Sequence, residues 1–227
     1  MNKNLFIIVN TLSYLISHRS EVIFAARDNG YNVHVAYGEL GNTKSENLSQ
    51  KGINLIQIPL ERRLNGLMNE LISFISIYKI LKYYKPEIVH LITVKAYLYG
   101  GISARLLKIP CLITAIAGYG ILGENKNWQN LILQKFLYPF FHLALNHKNQ
   151  KIIVQNPSDK AMLIKKYSIN SRKIILFRGS GVNLNKFINL NEEEGHVTVS
   201  FASRLLHDKG IYEFVEAARI IKKEKGI

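Results

Sequence analysis

Near its end the chain reads RGSGVNLNKF (178–187), then NLNEEEGH (189–196), then VTVSFASRLLHDKG (197–210). The last of these decides the reading of the fold. Residues 197–201 alternate β-branched with small or polar side chains, as a strand does, and Asp208 can cap a following helix with Ile211, Phe214, Val215, Ala218 and Ile221 on one face. A strand, a short basic loop and a helix N-terminus therefore stand in series. Arg204 and Lys209 flank the loop, and the unbonded amides of a first helical turn add partial positive charge there. Such a constellation suits phosphate oxygens, and a diphosphate is the expected guest.

Upstream, the pattern predicts strands at 5–9, 31–37, 53–58, 87–92, 110–116, 151–154 and 173–177. Helices are expected at about 15–29, 44–51, 67–84 and 127–146, with one more opened by Asn156 as cap, Pro157 and Asp159. Pro139 is expected to kink the fourth of these. Seven short strands alternating with helices predict an α/β fold, a doubly wound, mostly parallel Rossmann-like sheet. The expected organisation is a first domain over 1–188, a linker over 189–196, and the first strand-helix unit of a second Rossmann-like domain over 197–227.

With 227 residues, 48% of them hydrophobic, the chain has ample material for a packed core. No window of about 18 residues is both apolar and uncharged, and the first ten residues carry no signal-peptide pattern, so a cytoplasmic protein is expected. A lone Cys111 in an apolar setting reads as an inert thiol. His142 and His147 are spaced off a common helix face, so no metal site is expected. The net charge of +14 is uneven: residues 111–190 hold 11 Lys/Arg against 2 Asp/Glu. That excess fits either a cationic face for phosphate-bearing partners or a generally basic solvated surface. No nucleic-acid recognition element accompanies it, so no nucleic-acid partner is expected.

His90, Thr93 and Lys95 fall around the carboxyl end of the fourth predicted strand, where open α/β sheets place their ligands. His90 reads equally as a core histidine or a cleft residue, whereas a lysine at position 95 must face solvent or an anion. Gly118, Gly120 and Gly123 spell G-x-G-x-x-G, but after the fifth strand and without the acidic partner that a dinucleotide site needs. No cofactor is therefore expected, and the loop reads as one that lets a ligand approach backbone amides. Leu67, Leu71, Phe74, Ile75, Tyr78 and Leu81 recur at helical spacing, as a core face does. Residues 127–146, aromatic and basic, suit either an internal helix or one lying at a bilayer interface.

GSGVNLNKF (179–187) followed by FASRLLHDKGIYEFVEAARIIKKE (201–224) resembles the domain junction and donor-side R-x4-KG loop of retaining, GT-B-fold glycosyltransferases of glycosyltransferase family 4. The likeness is strongest to bacterial enzymes that extend lipid-linked oligosaccharides. It implies that Arg204 and Lys209 grip the diphosphate of a nucleotide-sugar, a UDP-sugar, which is a substrate rather than a cofactor. The implied acceptor is a saccharide on undecaprenyl diphosphate or a similar lipid, met peripherally at the inner face of the cytoplasmic membrane. Ser17-His18-Arg19 resembles the family's HR pair facing the cleft, and its alternative is a helix-surface pair without a role. Lys95 resembles an acceptor-side position, and Gly118 and Gly120 fall in the cleft loop. Two departures matter: Ala117 stands where many members have histidine, and no E-x7-E element follows 210–227. The resemblance thus implies a glycosyltransferase whose present chain is inactive alone; the alternative is a non-catalytic module that binds acceptor or membrane.

Overall fold

The computed structural model describes residues 3–43, 46–61, 66–116, 128–179, 181–185, 187–189, 195, 198–203, 205 and 207–225, with the side chains at 46, 47, 128–130, 208 and 225 outside the description. The chain divides into two compact units, Met1–Gly181 and Val182–Ile227.

The first unit is organised around β1 (Lys3–Thr11), an almost wholly buried strand. Its apolar residues have no polar face because both sides are covered, as parallel strands require. Phe6 and Ile8 enter one core cluster, while Leu5, Ile7 and Val9 enter the other. After α1 (Leu12–Asp28) comes β2 (Tyr31–Glu39), then the short α2 (Glu46–Ser49), β3 (Asn54–Gln57) and the long α3 (Leu67–Tyr84). Gly30 takes φ +79 where α1 hands over to β2, the left-handed turn expected of that glycine. Next come β4 (Ile88–Ile92), α4 (Val94–Leu106), β5 (Cys111–Ile116), α5 (Trp128–Leu145), β6 (Gln150–Val154), α6 (Pro157–Tyr167) and β7 (Ile174–Leu176). All seven strands pair in parallel in the order β3-β2-β1-β4-β5-β6-β7. The doubly wound sheet is therefore as the sequence predicts, and the order reverses between β1 and β4.

Helix α6 starts as read, with the Asn156 side chain accepting from the Asp159 amide at 2.7 Å. Three local readings differ. Helix α4 was not foreseen, because VKAYLYGGISARL is apolar nearly all round and carries no amphipathic period. It lies sunk between α3 and α5, touching both. Helix α3 does not bury the whole predicted stripe: Ser73, Ile77 and Leu81 are inside, but Leu67, Leu71 and Ile75 are exposed. In the second unit, residues 198–201 form no ladder, since a lone strand has no neighbour to pair with. Phe201 instead packs on Phe214 of α7 (Ile211–Lys225), ring centroids 5.2 Å apart.

The closeness of α4 to α5 yields a test. A Cβ on Gly101 would lie 2.7 Å from the Ala144 carbonyl oxygen and 2.9 Å from its Cβ. Gly→Ala inside a helix ordinarily gains about 1 kcal/mol. Here overpacking against backbone should reverse the sign, so Gly101→Ala is expected to lose roughly 1–3 kcal/mol in urea unfolding.

Candidate functional site

The reversal between β1 and β4 opens a crevice at their carboxyl ends, the place where sheets of this kind bind ligands. Asn10 ends the buried part of β1, and Thr93 follows β4 directly. The Asn10 amide donates to Thr93 Oγ1 at 3.3 Å, the Thr93 hydroxyl donates to Asn10 Oδ1, and Asn10 Nδ2 donates to the Glu61 carbonyl at 3.1 Å. One buried asparagine thus ties together three segments at the mouth of the crevice. Thr93 takes φ +87, which a β-branched residue adopts only under constraint and which is found chiefly at functional positions.

Lys95 lies in the first turn of α4 and is only 6% exposed. Its ammonium meets Glu70 Oε1 of α3 at 2.6 Å, and the Tyr99 hydroxyl donates to the other carboxylate oxygen. Burial and the Glu70 carboxylate both push the Tyr99 phenol well above its ordinary value, so it stays a donor. Beside the pair is a cavity of about 60 Å³ lined by Pro59, Glu61, Asn69, Glu70, Ile72, Ser73 and Lys95. It has room for water but not for a saccharide. Sequence reading anticipated a cation at 95 but not its counter-ion, which comes from 25 residues away.

The other expected residues spread out. His90, on β4, is 5% exposed, and Nε2 is buried without a partner among the described residues. Burial, and next the charge of Arg19, push its pKa down to about 4, so it is a neutral interior histidine. Arg19 of α1 is half-buried, with its Nε enclosed. His18, its neighbour, is exposed and stacks on Tyr14 with ring centroids 4.4 Å apart. The pair therefore does not act in one direction. Lys209 is exposed in the turn that precedes α7. Arg204, Ala117, Gly118 and Gly120 lie outside the described residues. Cys111 is half-buried, and burial raises its thiol, consistent with an unreactive side chain. Among the described residues, no group of three His, Cys, Asp or Glu could hold a metal ion.

Over 175 residues the chain is 27% identical to the UDP-Gal:alpha-D-GlcNAc-diphosphoundecaprenol alpha-1,3-galactosyltransferase of Escherichia coli, a match that takes in 72% of this chain and 44% of that protein. A solved glycosyltransferase from Rickettsia africae superposes with a TM-score of 0.55 at 20% identity, covering 82% of this chain and 45% of that one. The UDP-GlcNAc 2-epimerase of Neisseria meningitidis, solved with UDP-GlcNAc bound, gives 0.54 at 16% identity, covering 76% and 45%. These two likenesses show the fold, and the chain spans under half the length of all three proteins. Residues 7–156, from β1 to the cap of α6, match the family described as Glycosyl transferase 4-like. On that match, across most of the seven-stranded sheet and the crevice at its switch point, the chain belongs to the Glycosyl transferase 4-like family.

Proposed function

We propose that the protein represented by this chain transfers a hexose from a UDP-sugar to a saccharide carried on a lipid diphosphate, with retention of anomeric configuration, at the inner face of the cytoplasmic membrane. The observation that carries the reading is the family match over residues 7–156, supported by the Escherichia coli relative whose name gives a UDP-sugar donor and a diphosphoundecaprenol-linked acceptor. In this reading the crevice at the ends of β1 and β4 takes the acceptor, with Gly118 and Gly120 lending backbone amides. Lys95, buried and ion-paired with Glu70, holds the wall of the crevice on the α3 side rather than touching the acceptor, and His90 and Arg19 back the crevice from beneath α1. His18 serves its outer rim.

On the donor side, Arg204, Lys209 and the first-turn amides of α7 hold the departing nucleotide diphosphate. Negative charge grows there as the glycosidic bond to the diphosphate breaks, so fixed cations lower the barrier. No cofactor and no metal ion are needed where cations serve that role. The 227-residue chain is expected to show no transfer alone, a reading supported by its 44% coverage of the relative.

The test is transfer of labelled hexose from UDP-hexose to a lipid-diphosphate saccharide, measured on the protein extended to the length of its relatives. Arg204→Ala and Lys209→Ala should each lower kcat/KM by about 10²–10³. Undiminished rates in both variants, or no transfer from any UDP-hexose, would overturn the assignment. Transfer by the short chain would overturn the inactivity reading alone.

A further inference from the structure

We propose that the outer face of the α3–α4–α5 layer is a docking surface for an anionic bilayer. The choice of occupant rests on the lipid-linked acceptor proposed above; the surface itself rests on independent observations. Helices that cover a sheet normally turn polar side chains outward. Here Leu67 is 90% exposed and Met68 69%, and Leu71 and Ile72 continue the strip along α3. On α5, Phe136 is 65% exposed, flanked by Ile132 and Phe140. Helix α4 packs between these two, and its outward Tyr99 and Ile102 are half-buried, so apolar surface bridges the ridges. Both apolar strips are densest in the N-terminal halves of their helices. In β-α connections those halves lie at the carboxyl ends of the strands, beside the crevice.

Charge selects the occupant. Across α3, α4, α5 and α6 the only carboxylates are Glu70 and Asp159. Glu70 is held by Lys95 and Tyr99, and Asp159 is 3% exposed. Lys79 and Lys82 of α3 and Lys135 of α5 are exposed. A face that is apolar and cationic, with its carboxylates turned away, complements anionic headgroups over acyl chains. Against a second copy of itself, the same face would set lysine against lysine. Among the described residues no helix is long and apolar enough to cross a membrane, so the contact is interfacial. The proposed surface would bring the crevice down to the plane in which a lipid diphosphate presents its saccharide.

Co-sedimentation of the chain with vesicles of phosphatidylcholine, with and without phosphatidylglycerol, tests this. Binding to the anionic vesicles that weakens with salt is expected. Leu67→Asp combined with Phe136→Asp, both at exposed positions and checked by thermal melting, should lower vesicle affinity at least about tenfold. Lys79→Glu with Lys135→Glu should weaken binding and flatten its salt dependence. No binding by the wild type, or equal binding by both double variants, would overturn the proposal. So would a wild-type dimer that the aspartate variant turns into monomer, since the face would then belong to a second copy. In the extended protein, transfer to a soluble short-chain acceptor separates the two proposals. Vesicle binding without such transfer sinks the enzyme reading and leaves the surface standing, and the converse sinks only the surface.

Discussion

Glu70→Ala is expected to cost about 3–5 kcal/mol of folding stability, because it leaves a buried ammonium without its counter-ion. The side chains of Lys95 and Glu70 are 7% and 15% exposed, so water can replace little of the lost interaction. Replacing both partners with apolar side chains, Glu70→Leu with Lys95→Met, removes the desolvation penalty with the attraction and should lie much closer to wild type. A double-mutant cycle by urea unfolding measures the coupling directly. Single-variant losses no larger than those of an exposed ion pair, under about 1 kcal/mol, would show that the pair is solvated in solution. A second readout follows the Tyr99 phenol in the folded chain. Glu70 is one of the two causes that raise the Tyr99 phenol, so the alanine variant should ionise Tyr99 at lower pH than wild type, as followed by phenolate absorbance.

His90 should make stability depend on pH, with a definite sign. Its folded pKa is about 4, against 6.5 for an ordinary histidine. Between those values the unfolded chain binds a proton that the folded chain refuses, so stability rises with pH through this window. The contribution is complete above 6.5 and is lost on acidification toward 4, a span worth on the order of 3 kcal/mol. His34 and His147 are also lowered by burial and add slope of the same sign. His90→Leu should therefore flatten the curve without abolishing it. Arg19→Gln removes the second cause of the shift and should raise the His90 pKa, read from its ring protons by NMR titration. A wild-type His90 titrating near 6.5 would place it in solvent and contradict the interior assignment.

The strands were legible because each is a short apolar run bounded by turn residues, and the cap at Asn156 was legible because it acts within three positions. What escaped the sequence depends on neighbours far along the chain. The mostly buried α4 has no polar stripe to mark its period, and the reason for a glycine at 101 shows only when Ala144 is seen against it. The exposed ridge of α3 looks like a core face because periodicity reports that a helix has an apolar side, not that the side is covered. Of the candidate site, the crevice and its polar residues could be placed from strand ends alone. The pairing of Lys95 with Glu70 and the interior setting of His90 could not, since each needs the packing of one element on another. His18 and Arg19, adjacent in sequence, differ in burial for a related reason: neighbouring helical residues point about 100° apart.

The bond between Asn10 and Thr93 joins residues 83 apart, and β1 meets β4 at the same separation. Strand β1 is made first and needs its second neighbour before the sheet has a centre. On a translating ribosome, at roughly 5–20 residues per second, that neighbour arrives some 4–17 seconds later. Until then FIIV (6–9) has at least one edge unpaired and apolar, the kind of exposed strand that nascent-chain chaperones cover.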